Sequence, residues 1–435
     1  MHKHDLSQRL FLLAVLTAFS FSCKSSPTGP HVGQNLQLST DYVTCTEVWL
    51  KVAYSGQSSP VSGGEFKITR DGDTVLTGNL TGSDTTVIDT TAQPEQAYTY
   101  RAYRYFRNQV SDTSLPIQVT TMDTTSNNFT WQEFRFGGNC GSSTLSDVAI
   151  INDTLAYAVG EIYLQDSTTG ICDSQPYCLA VWDGSIWNLM RLNFFPPGSI
   201  GDSLSEIGYS MFADGAEDIW IGGDAIFHYD GMQWTPLYNT AGAEGSGKMW
   251  AAEPGDVWFV GAGGSIVHYD GYTWNKIPSA ITSTVNDVWG GSTGPTPTVF
   301  AVSLTQGIFA LTANSATSAL NWPGGDIGSI WFADTNQTYV GGNGVYLKDK
   351  RGWRRLYYRS GMYVNGLRGS GVNNIFAVGW GVFAHFNGST WQEFPDIESN
   401  ANLWSVAVTK DVVVAVGFTG GGPSMRGFVI IGRDN

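Results

Sequence analysis

The sequence predicts an all-β protein in which a β-sandwich of about 90 residues precedes a seven-bladed β-propeller closed by an N-terminal outer strand. Three observations carry that expectation. Aromatic residues make up 13% of the chain, with 16 Trp and 53 Gly, against only 14% charged residues, a composition of packed aromatic strands joined by tight turns. No stretch after residue 25 keeps a 3.6-residue apolar period. A strand-turn-strand unit then recurs through the C-terminal two thirds of the chain.

The chain opens with His2, Lys3, His4 and Arg9, and "LFLLAVLTAFSFS" from Leu10 to Ser22 is an apolar run too short to span a bilayer. It stops at Cys23. The sequence "SFSC" resembles a bacterial lipoprotein signal, which implies cleavage of residues 1–22, diacylation of Cys23 and a polar tether over 23–34. A plain secretory signal cut near the same place is the alternative. Either implies export, to the outer membrane or cell surface by a lipid anchor or, without it, to the periplasm or the medium. The formal net charge of -15 argues against nucleic acid, because phosphate contacts need clustered Lys and Arg. A monomer touching the membrane only through its anchor is expected.

Four cysteines follow Cys23, an even number in an exported chain. Cys172 and Cys178 bracket "DSQPY", a short loop that a disulfide would close. Cys45 and Cys140 then either pair with each other, joining two domains, or stay free. There is no CxxC and His is rare, so neither a metal nor a cofactor is expected.

Residues 35–122 read as short alternating strands, among them "YVTCTEVWLKVAY", "EFKITRDGDTVLTGNL" and "AYTYRAYRYF". "RDGDT" is a hairpin turn, since Asp-Gly tolerates the positive φ it requires. The stretch "AQPEQAYTYRAY", with Pro94 and Tyr98, and the exit "SDTSLPIQVTTM" resemble a fibronectin type III domain. That resemblance implies a sandwich serving as a spacer or adhesive module.

After a linker at 123–128 the repeats begin. "DIWIGGDAIFHYDGMQW" (Asp218 to Trp234) aligns with "DVWFVGAGGSIVHYDGYTW" (Asp256 to Trp274), and further copies end at Trp187, Trp353 and Trp391. In each, an Asp or Asn stands four positions before the Trp: Asp183, Asp230, Asp270, Asp349 and Asn387. A copy at "TVFAVSLTQGIFAL" keeps its strands but lacks the Asp-Gly signature. One more strand precedes each copy, giving seven four-stranded units of about 43 residues across 129–435, the length of a propeller blade. The seventh stops one strand short. "TWQEF" occurs at Thr130 to Phe134 and again at Thr390 to Phe394, and the first copy is expected to supply the missing outer strand. "DIWIGGDAIFHYDG" and "DVWFVGAGGSIVHYDG" resemble bacterial repeats of the two-component-regulator-propeller and YVTN/BNR-like type.

Asp-Gly-x-x-Trp is read as turn chemistry plus a Trp that packs between blades. His228, His268 and His385 share one repeat slot and are spread around a ring rather than gathered on a metal. Arg354, Arg355, Arg359 and Arg368 fall in one arc. Arg368 stands where other inner strands carry Trp, facing the channel; the cluster is either a solvated basic patch or part of a site. The blade-linking loops share one face, and there Phe194, Phe195, Tyr238, Tyr357, Tyr358, Arg359 and Trp380 either meet a ligand or seal blade junctions. The functional expectation is a cell-envelope binding or scaffold protein recognising a glycan or an envelope protein. The alternative is a carbohydrate-active hydrolase or lyase on the channel face; neither a Ser-His-Asp order nor a nucleophile elbow is visible, and no catalytic residue is assigned.

Overall fold

The computed structural model describes residues 31–435 apart from 33–34, 56–63, 81, 139, 167, 197, 199–202, 292–296, 395–396 and 398–400. Cys23 and the apolar run before it lie outside the described residues. The described chain is all β: its helix is confined to single turns at Ala262–Gly264 and Gly422–Ser424. No helix among the described residues is long and apolar enough to cross a membrane.

Two compact units emerge. One gathers residues up to Ser39 with Leu50–Val87 and Tyr98–Gln118; the other gathers Thr40–Trp49, Ile88–Ala97 and Val119–Asn435. The division differs from the expected boundary at 123–128. Segment 40–49 belongs with the repeats because its contacts run there: the Cys45 thiol donates to the Asp123 carbonyl at 3.1 Å, and Glu47 pairs with Arg351 at 2.9 Å.

The strands before residue 122 form two sheets. Glu65–Arg70, Asp73–Asn79, Ala97–Phe106 and Gln109–Thr113 make an antiparallel set with Ile117–Thr120 at its side, while Leu36–Val43, Val48–Tyr54 and Asp84–Asp89 make a second. The "RDGDT" hairpin forms as the sequence requires, with Asp71 and Gly72 at φ 53° and 101°. Ala97–Phe106 alternates, burying Tyr100, Ala102 and Arg104. The Arg104 guanidinium lies 4.2 Å from the Tyr54 ring centre and 3.7 Å from Asp112, so its buried charge is compensated.

The second unit is built from four-stranded antiparallel meanders. Their first strands are Thr144–Asn152, Gly208–Ala213, Ser246–Glu253, Val285–Gly291, Ile327–Trp331, Tyr363–Gly371 and Asn402–Val408. Each first strand runs beside that of the following meander, and Asn402–Val408 runs beside Thr144–Asn152, closing the circuit. The central strands carry apolar residues on both faces, as in the fully buried Ile219–Gly223. Both faces are covered because a buried apolar cluster fills every junction between neighbours, including the one joining the last meander to the first.

Phe129–Phe136 lies antiparallel against Arg426–Asp434, with Trp131 opposite Gly432, and so supplies the fourth strand of the last meander. In the fourth meander the outer strand is Ser315–Ala319; Trp322 lies beyond it and packs on Trp353, 4.8 Å between ring centres.

The cysteine pairing differs from the expected one. Cys140 bonds Cys172, with Cα atoms 5.3 Å apart, and Cys45 and Cys178 are buried free thiols. Cys178 lies within the strand Tyr177–Trp182 and packs in the core between the first two meanders, so its side chain cannot turn back to Cys172.

Candidate functional site

All seven first strands break register at the same place. The pairing skips one residue between Leu145 and Asp147, Gly208 and Ser210, Ser246 and Lys248, Val285 and Asp287, Ile327 and Ser329, Val364 and Gly366, and Leu403 and Ser405. A bulge leaves the extra residue unpaired and re-aims its side chain. The skipped residues are Ser146, Tyr209, Gly247, Asn286, Gly328, Asn365 and Trp404, and all seven line one cavity of about 450 Å³.

The rim of that cavity is uneven. Trp404 and Tyr209, 41% and 37% exposed, come from the seventh and second meanders and flank Ser146 of the first. Asn286 and Asn365 come from the fourth and sixth and flank Gly328 of the fifth. Tyr209 and Trp404 thus occupy one arc, while the other carries the two amides together with Tyr363 of the sixth meander. The Asn286 amide donates to the Ile327 carbonyl at 2.8 Å, and that of Asn365 to the Leu403 carbonyl at 2.8 Å. Tyr209 donates to Asp224 at 3.2 Å; burial, then the Asp224 charge, pushes its hydroxyl pKa up to about 12. Tyr363 lines the opposite wall, beside Gly328, and burial raises its pKa to about 12 as well.

Just beyond the bulges lies a polar belt, one residue on at Asp147, Lys248, Asp287, Ser329 and Ser405 and three residues on at Arg368. Lys248 reaches from the third meander to Asp147 of the first at 2.6 Å and Ser405 of the seventh at 3.0 Å. Arg368 of the sixth meander holds Asp287 of the fourth through two bonds, at 2.7 and 2.8 Å, and Ser329 of the fifth at 3.1 Å. Burial works to raise the Asp287 pKa, yet the Arg368 guanidinium holds it below the usual carboxylate range. Two acids and two bases therefore neutralise one another beneath the cavity.

The predicted ligand-face residues fall into different surroundings. Arg368 does enter the ring, but its charge is spent on Asp287 and its guanidinium stacks over Trp289 at 4.7 Å. Phe194 is buried in the cluster between the first two meanders, whereas Phe195 is exposed and donates its main-chain N–H to the Tyr238 hydroxyl at 3.3 Å. Tyr357 stacks on Trp391, 5.0 Å between centres, and bonds Glu393. Arg359 pairs with the same Glu393 at 2.9 Å. Tyr358 and Trp380 are exposed, the former beneath Arg355 at 4.3 Å. None of these lines the cavity as described. The arginines do not converge: Arg354 pairs with Asp349 at 2.5 Å.

The repeat motifs are structural in their contacts. Asp230 accepts N–H bonds from Met232 and Gln233 at 2.9 Å, and Asp270 from Tyr272 and Thr273 at 2.9 and 2.7 Å, each holding a turn. His228 and His268 bond Asp218 and Asp256 at 2.7 and 2.5 Å beneath stacked Trp220 and Trp258. Among the described residues no group of three or more His, Cys, Asp or Glu is placed to hold a metal.

No protein-family model matches the chain, and no curated protein does. Among solved structures the chain is similar to the computationally designed Ika8 protein. The two are 12% identical with a TM-score of 0.42, over 68% of this chain and 98% of that one.

Sequence reasoning passed over Tyr209, Asn286, Asn365 and Trp404. They share one column of the aligned repeats, but its members vary from Gly to Trp, so no residue type marks it.

Proposed function

We propose that this chain is an exported binding module of the cell envelope. In this reading the strands before residue 122 form a fibronectin type III-like sandwich, a lipid on Cys23 anchors the chain, and the second unit is a seven-bladed β-propeller that takes a glycan at the mouth of its ring. The observation that carries the ligand reading is the cavity framed by the seven bulged residues. The Tyr209 and Trp404 rings, facing the Asn286 and Asn365 amides and Tyr363, suit a sugar, which offers an apolar ring face and a fringe of hydroxyls.

Charge supports the same choice. The chain holds 38 Asp and Glu against 23 Lys and Arg, yet no carboxylate lines the cavity among the described residues. Glycoside hydrolysis draws on two carboxylates flanking the scissile bond, so this lining favours binding over cleavage. A glycan array probed with the exported chain tests the reading. Saccharide binding that Trp404→Ala weakens at least tenfold is the expected result; an array silent across neutral and acidic glycans leaves an envelope protein as the ligand. Cys23→Ser should move the protein from the membrane to the soluble fraction, and an unchanged distribution would remove the anchor.

A further inference from the structure

We infer that the mouth reads the uncharged terminal sugar of a glycan chain and not an internal stretch of one. The inference rests on the reading of the mouth as a glycan site and follows from what lies beneath and around it.

The cavity is blind. Lys248 crosses from the third meander to the first and seventh, and Arg368 from the sixth to the fourth and fifth. The belt residues are nearly buried, with Asp287 and Asp147 side chains 1% and 6% exposed and those of Lys248 and Arg368 13% and 15%. A polysaccharide cannot thread past these bridges without breaking a buried ion pair, which costs several kcal/mol. A chain entering the mouth must therefore end there. The volume of about 450 Å³ sits low in the range of roughly 300–1,000 Å³ common for ligand pockets, which suits a short terminal segment.

The polar groups select against charge. The Asn365 NH₂ donates to the Leu403 carbonyl at 2.8 Å and to Asn402 Oδ1 at 3.3 Å, and that of Asn286 donates one of its two protons to the Ile327 carbonyl, so the two amides offer a ligand two carbonyl oxygens against a single N–H. Such oxygens accept hydrogen bonds from hydroxyls and repel sulfate or carboxylate oxygens. The lining's one cation, Lys248, already donates to Asp147 and Ser405, so it does not compensate an incoming anion.

Gly247 provides the test. A Cβ built there meets nothing within 4 Å, so the backbone at Gly247 has room for the side chain that Gly247→Phe sends into the mouth, while Trp404→Ala removes an exposed ring. The probe is an array of neutral gluco-, galacto-, manno- and xylo-oligosaccharides, each printed free-ended and with its terminal residue sulfated. The exported chain should bind free-ended glycans, bind the sulfated forms at least tenfold more weakly, and lose binding in both variants while their melting temperatures stay near the parent's. Equal binding to free and sulfated ends, abolished by Gly247→Phe, would overturn the end-reading and keep the mouth as a glycan site. Glycan binding unchanged in Gly247→Phe, or no glycan binding at all, would overturn both.

Discussion

The Lys248 ammonium donates to Asp147 at 2.6 Å across 101 residues of sequence, tying the inner strand of the third meander to that of the first. Asp147 also accepts from the main chain of Met211 in the second, at 3.0 Å. The Ser405 hydroxyl of the seventh donates to it at 2.6 Å, so one carboxylate holds three neighbours around the ring.

Lys248→Met leaves the buried Asp147 charge without its cation, and a loss of about 3–5 kcal/mol is expected by urea denaturation. The double variant Asp147→Asn/Lys248→Met should recover part of that loss, since it removes both charges. A single variant as stable as the parent would show that the ring closes without this bridge.

Deleting 127–136 should lower the melting temperature sharply, because it strips the outer strand from the last meander and bares the apolar cluster beneath Phe129 and Trp131. Gly432→Ala offers a gentler probe: the added methyl would sit 2.2 Å from the Trp131 ring. Overpacking of that kind costs about 1–3 kcal/mol, and calorimetry on both variants reads it.

Two buried groups give stability opposite slopes with pH. Glu206 accepts N–H bonds from Ile207, Asp224 and Ala225, but burial outweighs them and raises its pKa from 4.5 to about 7. The stability linked to its proton is complete below pH 4.5 and is lost as pH rises through about 7. Burial lowers His385 from 6.5 to about 4, so its contribution is complete above pH 6.5 and is lost as pH falls through about 4. Melting curves between pH 5 and 8 should show the difference between Glu206→Gln and the parent shifting in the variant's favour as pH rises, by at most about 1.4 kcal/mol per unit. A pH-independent difference would count against this assignment.

Cys45 and Cys178 should resist alkylation until the chain unfolds, while the Cys140 to Cys172 bond yields a single cross-linked peptide on digestion. Closing a 32-residue separation is worth about 3–4 kcal/mol on the chain-entropy account, so Cys172→Ser should lower stability by that order. A peptide joining Cys172 to Cys178 would reverse the pairing.

Most of the architecture was legible because it is written in local, repeated chemistry. Asp-Gly turns, the Trp four residues on and the doubled "TWQEF" point to strand order and partner, and the pairing of Phe129–Phe136 with the last strand follows from counting strands, while its register, Trp131 opposite Gly432, does not. The belt was not legible: Asp147, Lys248, Asp287 and Arg368 look like unrelated charges until the ring brings residues as many as 101 positions apart to within 3 Å. The cysteine pairing escaped for a similar reason, since sequence proximity favoured Cys178, while strand alternation turns its side chain into the core. The bulges have no local signature, as an unpaired residue is defined by the partner strand that skips it.

The strand Phe129–Phe136 is made early and finds its partner, Arg426–Asp434, only when the chain is almost complete. Until then it is an unpaired edge in a sequence rich in other edges, exposed to wrong pairing and to neighbouring chains. The last meander can therefore form only after the C-terminal strand has been delivered, and its assembly is set by the slow closure of a loop of nearly three hundred residues rather than by local strand formation. A chain threaded through a membrane N-terminus first would carry its own closing strand across ahead of everything that strand must close, and the far compartment is where the ring would have to be completed.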